Sequence, residues 1–217
     1  MKVRKIGMEK LDALAPSHPH ALANRRDLRL INRFLGTRRW FGRTLLSLVG
    51  SSGRILELGA GQGLLSDFLR RRNDQTSLCQ WHALDIQPVP SRITEGLQWH
   101  QADLLLFGDY HDYEVVFGNL ILHQFNTNEL QSLGNRLQEG PRALVFQELW
   151  RKSLFYWGSS LLTLFMHPVT RHDARVSVRA GFRGEELTSL LGLDPKAWKL
   201  SVEYSLLGAY RMVALRL

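Results

Sequence analysis

The sequence predicts an α/β protein with a doubly wound, mostly parallel seven-stranded sheet, a C-terminal antiparallel hairpin and an N-terminal helical extension. Three observations support this prediction. Strand-like and helical segments alternate from residue 54 onward, which is typical of a parallel sheet with helices on both faces. The first strand runs through a glycine-rich turn directly into a helix. The last two β-rich segments, 199–206 and 210–217, are separated by three residues, which indicates an antiparallel pair.

Length and composition favour one domain in a reducing compartment. A chain of 217 residues with 44% hydrophobic residues suits a single α/β domain with a short extension. The one cysteine, Cys79, cannot form an internal disulfide. The basic N-terminus lacks a following apolar segment of signal-peptide type, and the apolar segment 154–166 is shorter than the ~20 residues of a membrane span. We therefore expect a cytoplasmic protein, with peripheral membrane attachment as the alternative.

The N-terminal extension, residues 1–49, contains two different parts. Residues 1–20 mix Pro16, Ser17 and Pro19 after a short amphipathic piece, which predicts a loosely held arm that ends in a linker. Residues 21–49 have a helical pattern that Gly36 and Thr37 divide into two helices. Residues 50–217 would then form the main domain, with an inserted helical lid at 150–182.

The two predicted helices are unusually basic. The chain carries a net charge of +8, and seven arginines lie beside the apolar positions of this segment: Arg25, Arg26, Arg29, Arg33, Arg38, Arg39 and Arg43. Such a surface favours anionic partners, namely RNA, a membrane surface or an acidic substrate. A solvated helix face that covers the mouth of the site is the simpler alternative.

The glycine turn at 59–63 is the strongest functional signal. Gly59, Gly61 and Gly63 permit positive φ and allow a ligand to approach the backbone beside a helix N-terminus. A dinucleotide fingerprint would space its glycines as G-x-G-x-x-G, whereas this turn is G-A-G-Q-G with Glu57 just before it. It resembles the first motif of the class I S-adenosylmethionine (SAM)-dependent methyltransferases. The resemblance implies that SAM is the cofactor and that Glu57, the three glycines and Ala60 contact it.

Two later strands end in carboxylates. Asp85 lies 22 residues beyond Gly63, the spacing at which an acidic side chain accepts hydrogen bonds from both ribose hydroxyls of a bound adenosine. We count its neighbour Ile86 among the cofactor contacts. The resemblance implies that Asp103 accepts from the adenine amino group and that Ala102 also contacts the ring. A turn or helix cap is the alternative for Asp103.

The fourth predicted strand, 113–120, supplies the methyl-transfer end of the site. The resemblance implies that Asn119 faces the sulfonium, and His123 follows it closely, as a histidine often does in that family. Glu114 stands where an aspartate is commoner. His123 is a candidate base, with a packed, hydrogen-bonded histidine as the alternative.

The insert after the fifth strand would cover the site with an apolar helix, 154–166, followed by a T-R-H-D segment at 170–173. His172 is a candidate general base with Asp173 as its orienting partner, although a capping aspartate is common. This segment and the L-x-x-I-N-R sequence at 28–33 resemble small bacterial methyltransferases of the ubiquinone/menaquinone-biosynthesis type found with polyketide-forming enzymes. The resemblance covers residues 24–191. The histidines show no metal-ligand spacing, so we predict no metal.

The sequence therefore predicts a methyltransferase for a small lipophilic hydroxy-aromatic, quinol or polyketide acceptor. O-methylation is the first choice and C-methylation the second. The alternatives are an RNA-directed methyltransferase or RNA-binding protein that uses the basic helices, and a SAM-binding module without catalysis. The sequence leaves the substrate and the oligomeric state open.

Overall fold

The computed structural model describes residues 1, 3–11, 14, 18–50, 52–72, 78–91, 93, 95–163 and 166–217, without the side chains of 159–162. Its strands form one sheet in the order β3-β2-β1-β4-β5-β7-β6. The strands are β1 Arg54–Leu58, β2 Gln80–Asp85, β3 Leu97–Gln101, β4 Val115–Asn119, β5 Ala143–Leu149, β6 Trp198–Tyr204 and β7 Ala209–Arg216. The α-helices are α1 Pro19–Phe34, α2 Thr37–Leu48, α3 Leu64–Arg71, α4 Thr127–Leu137, α5 Ser153–Leu162, α6 Pro168–Ala180 and α7 Glu186–Leu190.

The sheet topology confirms the predicted fold class. β1 to β5 pair in parallel, with Leu56 of β1 opposite His82 of β2 on one side and Val116 of β4 on the other. β7 lies antiparallel between β5 and β6 and closes the sheet as a hairpin. Because parallel strands need crossovers, the carboxyl ends of β1, β2, β4 and β5 all meet at one edge.

Apolar side chains alternate between the two sheet faces and build a core on each. One core packs β1 residues such as Leu56 against Leu130 of α4 and Leu187 of α7. The other packs Ile55 against Phe41 of α2 and neighbours in α3. The sheet is therefore covered by helices on both faces, as a doubly wound fold requires.

The predicted helix boundaries are close to the observed ones. Gly36 separates α1 from α2 with φ 69°, a left-handed conformation that glycine adopts without strain. The apolar helix predicted at 154–166 corresponds to α5, and residues 164–165 of that prediction lie outside the described residues. None of the described helices combines the length and the apolar character that crossing a membrane requires.

The N-terminal arm differs from the prediction of a loosely held segment. The Arg4 guanidinium donates to four backbone carbonyls, those of Leu122, His123, Phe125 and Ala180, at 2.7 to 3.3 Å. The backbone N–H of Lys5 also donates to the carbonyl of Arg179 at 3.1 Å. The described part of the arm is thus bonded to the main domain, because one arginine satisfies several carbonyls that end helical turns. The predicted linker at Pro16 and Ser17 lies outside the described residues.

Candidate active site

A continuous cavity of about 1680 Å³ lies where the parallel strands end. The turn after β1 contributes Gly59, Ala60 and Gly61, and the end of β2 contributes Asp85 and Ile86. The end of β4 adds a segment from Asn119 to Ile121, and α1, α2, α5 and α6 supply the outer walls. In open α/β sheets this edge is where ligands bind.

The glycine turn has the backbone that the sequence predicts. Gly59, Gly61 and Gly63 have φ of 63°, 58° and 66°. A Cβ at Gly59 would lie 2.5 Å from the side chain of Ile121, so glycine is required there for packing as well as for conformation. A Cβ at Gly61 would meet nothing within 4 Å. Gly61 therefore presents bare backbone to the cavity.

Glu57 is buried beneath this turn and lines the cavity. Its Oε2 accepts hydrogen bonds from the Ser66 backbone N–H at 3.1 Å and from the Ser66 hydroxyl at 2.5 Å. Burial raises the pKa of Glu57 to about 7, since these two bonds offset only part of the desolvation. A cationic ligand group beside this carboxyl would favour its ionised form.

Asp85 holds the same turn from the neighbouring strand. Its Oδ2 accepts from the Gly61 N–H at 2.7 Å and its Oδ1 from the Gln87 N–H at 2.8 Å. The residue lines the cavity, and a partly exposed carboxylate can accept further donors because each oxygen has two lone pairs. The predicted neighbour Ile86 also lines the cavity.

Three predicted cofactor contacts lie outside the cavity lining: Gly63, Ala102 and Asp103. The Oδ1 of Asp103 accepts from the Leu105 N–H at 2.8 Å, and its carbonyl accepts from the N–H groups of Leu106 and Phe107. This is the turn-capping role that the sequence left as the alternative. An adenine contact by Asp103 remains a prediction.

Asn119 belongs to a side-chain network that sequence reasoning missed. Its amide donates to Asn32 Oδ1 at 2.9 Å and accepts from Gln147 Nε2 at 3.0 Å. Gln147 in turn donates to Thr37 Oγ1 at 2.6 Å, which joins the α1–α2 corner to β4 and β5. The following residue, Leu120, has φ 57°, which is strained for a branched side chain. The strain lies at the predicted methyl-transfer position.

His123 is buried between two carboxylates. Its Nδ1 lies 2.7 Å from Glu148 Oε2, and its Nε2 lies 3.2 Å from Glu9 Oε1. Burial disfavours the charged ring, but Glu148 and Glu9 together outweigh burial and raise the pKa of His123 to about 10. A histidine that keeps its proton at neutral pH does not act as a general base. The packed alternative fits this geometry better than the catalytic one.

The T-R-H-D segment forms the first turn of α6, and only Thr170 and Asp173 of its four residues line the cavity that the predicted insert was expected to cover. His167 caps this helix, so Thr170, Asp173 and Ser177 share its buried face while His172 points outward with its side chain 42% exposed. His172 Nδ1 does lie 3.0 Å from Asp173 Oδ1, but His172 does not line the cavity. The assignment of His172 as the base therefore has no geometric support.

Asp173 and Glu9 tie the arm to the cavity. Asp173 accepts from the backbone N–H groups of Lys10 at 2.8 Å and Leu11 at 3.1 Å. Glu9 accepts from His123 and from the Ser177 hydroxyl, and both Glu9 and Leu11 line the cavity. Sequence reasoning missed Glu9, because no hydrophobic period or motif surrounds it.

The remaining walls combine apolar and basic side chains. Leu154, Phe155 and Gly158 of α5 line one side together with the β6–β7 turn at Leu206 and Leu207. The basic contribution comes from the α1–α2 arginines, including Arg25, Arg29, Arg33, Arg38, Arg39 and Arg43. Within the described residues, no group of three His, Cys, Asp or Glu side chains could hold a metal ion.

Solved methyltransferase structures share this fold. The plantazolicin methyltransferase BpumL in complex with S-adenosylhomocysteine (SAH) matches with a TM-score of 0.73 at 13% identity, over 92% of this chain and 91% of that one. The methyltransferase domain of bacterial CtHen1 matches with a TM-score of 0.58 at 14% identity, over 86% and 99%. The CurJ carbon methyltransferase matches with a TM-score of 0.52 at 16% identity, over 77% of this chain and 49% of that one.

No protein-family profile matches the chain. No curated protein sequence matches it either. Identities this low establish the Rossmann-like fold alone.

Proposed function

We propose that the chain is a SAM-dependent methyltransferase. The observation that carries the proposal is the turn after β1, where Gly61 presents bare backbone to a large cavity directly beside the Asp85 carboxylate. This pairing suits an adenosine whose ribose hydroxyls donate to Asp85 while the rest of the cofactor lies over the turn. The shared fold with SAH-bound structures supports the same cofactor.

The residues around the turn fit the two ends of SAM. Asp85 would hold the ribose, and Glu57 would lie near the ammonium group of the amino-acid end. Asn119 and the strained Leu120 would border the methyl group. When bound, SAM would supply an activated methyl group for in-line attack by a nucleophile of the acceptor, with SAH as the leaving group. The chain itself has to align the acceptor and exclude water.

The acceptor is a small lipophilic molecule of the hydroxy-aromatic, quinol or polyketide class, methylated on oxygen. The apolar wall of Leu154, Phe155, Leu206 and Leu207 supports this choice, because it offers a lipophilic molecule an apolar surface beside the strand ends. Among the structures of similar fold, BpumL has been solved with a monoazolic desmethylPZN analogue and SAH, and CurJ is a carbon methyltransferase. Carbon methylation therefore stays the second choice.

The acceptor should be able to lose its proton without a general base from the protein. His123 is held as a cation between two carboxylates, and His172 lies outside the cavity. An ordinary phenol has a pKa near ~10, so an acceptor with an electron-poor ring or an acidic C–H would react more readily here. Proximity and exclusion of water then supply most of the rate enhancement.

Mass spectrometry of the small molecules released from the purified protein tests the cofactor assignment. We expect SAH or SAM. As a second test, calorimetric titration compares the binding of SAM with the binding of the dinucleotide NAD⁺. The Gly61→Val variant should lose SAM binding because a branched side chain there is strained at φ 58° and enters the cavity. Binding of NAD⁺ but not SAM would reject the proposal.

A further inference from the structure

The cavity has a polar end between α1, α6 and the N-terminal arm. The buried face of α6 brings Thr170, Asp173 and Ser177 to this wall, and Glu9 of the arm lies against it. Asn24 of α1 belongs to the same lining and is only 1% exposed. The wall is therefore assembled from three separate parts of the chain.

The donors that this wall holds are already engaged. The Thr170 hydroxyl donates to Asp27 Oδ2 at 2.8 Å, and the Ser177 hydroxyl bonds Glu9 and the Asp173 carbonyl. His123 bonds two carboxylates through its two ring nitrogens. With these hydroxyl and imidazole donors occupied, their carboxylate neighbours and the Asn24 amide oxygen offer a ligand hydrogen-bond acceptors.

Asn24 is the acceptor without a partner. Its Oδ1 is closed off from solvent and makes no hydrogen bond within the described part of the chain. A buried acceptor left unsatisfied costs about 1–3 kcal/mol. The amide can rotate about its last side-chain torsion, which is a soft one, and so turn toward the cavity that Asn24 lines. Such a group in an otherwise well-bonded wall indicates a ligand contact.

Glu9 adds negative charge at the same end. Both of its hydrogen bonds go to Oε1, so Oε2 takes part in neither. Burial favours its neutral form, but the His123 and Ser177 contacts outweigh burial and lower the pKa of Glu9, so it is ionised at neutral pH. The Glu9, Asp173 and Glu148 carboxylates share this network with the His123 cation and the Arg4 guanidinium, and His172 lies beside Asp173.

We propose that the wall formed by Asn24 and Glu9 binds an N–H or O–H donor group of the methyl acceptor. This proposal rests on the proposed function and adds to it: the acceptor is lipophilic along α5 and carries a hydrogen-bond donor at the α1–α6 end. Asn24 is a substrate-binding residue, and Glu9 selects between a neutral and a cationic donor.

Stability measurements test the state of Asn24 without any ligand. Replacing an unpartnered buried amide by an apolar group of similar size, as in Asn24→Leu, should leave Tm unchanged or raise it. Asn32→Leu is the matched control on the same helix, because Asn32 Oδ1 accepts from Asn119 at 2.9 Å and Thr37 at 3.0 Å. Asn32→Leu should therefore lower Tm. An equal loss of Tm in Asn24→Leu would overturn the proposal.

Three probes test the ligand chemistry by ligand-observed NMR on the parent protein and Asn24→Leu: benzyl alcohol, benzylamine and benzyl methyl ether. We expect at least one donor probe to bind the parent about tenfold more tightly than the ether, and Asn24→Leu to abolish that preference. If the protein prefers benzylamine and Glu9→Gln removes that preference, the donor group of the acceptor is cationic. If benzyl alcohol and benzylamine bind equally well, the donor group is neutral. No preference over the ether, or the same preference in Asn24→Leu, would overturn the proposal.

The two proposals fail in different experiments. Titration of the parent protein with SAH reports on the proposed function alone. The probe and Tm measurements use the ligand-free chain, so they remain informative whichever way that titration ends.

Discussion

The carboxylate of Asp85 accepts a 2.7 Å hydrogen bond from the backbone N–H of Gly61, so one side chain both shapes the glycine turn and faces the proposed ribose position. Asp85→Ala should weaken SAM binding at least tenfold, because charge-assisted hydrogen bonds are worth roughly 1.5–3 kcal/mol each. Calorimetric titration measures the effect.

Asp103→Ala is the comparison for that experiment. If Asp103 only caps its turn, the variant should lose some thermal stability and keep its SAM affinity. A parallel loss of SAM affinity would restore the adenine contact that the resemblance implies. An Asp85→Ala variant with the affinity of the parent would refute the proposed site.

SAM binding should strengthen as pH rises from 6 to 8. The pKa of Glu57 is about 7 in the ligand-free chain, so the carboxyl is largely protonated at pH 6 and ionised at pH 8, and only the ionised form attracts the cationic cofactor. Dissociation constants across this range test the expectation. Glu57→Gln should remove the pH dependence of SAM binding. If the dissociation constant of that variant still changes with pH as in the parent, another group causes the pH dependence.

The His123 network should make the fold sensitive to alkaline pH. Its folded-state pKa of about 10 lies above the ordinary value of ~6.5, so its contribution to stability is fully present below pH ~6.5 and is lost as pH rises through 10. Thermal unfolding from pH 6 to 11 should show this decline. His123→Ala should lower stability by about 3–5 kcal/mol at neutral pH, since it removes the cation that bonds two buried carboxylates. A stable His123→Ala variant that loses turnover would instead identify a catalytic histidine.

His172→Ala should change kcat by less than a few-fold. The ring lies on the outer face of α6 and does not reach the cavity, so it cannot contact a bound acceptor. A positioned base typically contributes ~10²–10⁴ in rate, so a loss of that size at unchanged SAM affinity would return His172 to the mechanism.

The exposed face of α1 should bind anionic membranes. Arg26, Arg29 and Arg33 are exposed together with Leu22 and Leu30, and Asp27, the single acidic residue between positions 19 and 48, is buried. Polybasic segments gain about 1 kcal/mol per Lys or Arg near such a surface at low salt. Gln at the three arginine positions should reduce sedimentation with phosphatidylserine liposomes. Because Arg29 and Arg33 also line the cavity, Arg26→Gln alone is the variant expected to leave SAM affinity unchanged.

RNA of random sequence is the competing probe in the same assay. Steeply salt-dependent RNA binding without liposome binding by the parent protein would favour the RNA-directed alternative. Liposome binding that the three substitutions do not alter would place the membrane contact elsewhere.

The sheet and its glycine turn could be predicted because their signals are local. The apolar run that forms β1 and the glycines that follow it fix the strand, the turn and the start of α3 within about ten residues. Asp85 followed from its spacing to that turn. The orientation of α6 was also readable: Pro168 indicates a helix start, and Thr170, Asp173 and Ser177 recur at helical spacing, which places His172 on another face.

The rest depends on pairs that are distant in sequence. Glu9 meets His123 across 114 residues, and Gln147 meets Thr37 across 110. Polar side chains such as these carry no periodic pattern, so their partners become visible only in three dimensions. The assignment of His123 as a base lost its support for this reason: the two carboxylates that hold its proton are remote from it in sequence.

The docked arm also sets the order in which the cavity can be completed. Arg4 precedes its partner Ala180 by 176 residues, and Glu9 precedes Ser177 by 168. At a synthesis rate of about 5–20 residues per second, these residues leave the ribosome roughly 8–35 s before their partners do. Strands β1 to β5 can pair and pack during that interval, but the wall that contains Glu9 closes only after α6 has emerged. The proposed methyl-transfer activity should therefore be among the last properties that a newly made chain acquires.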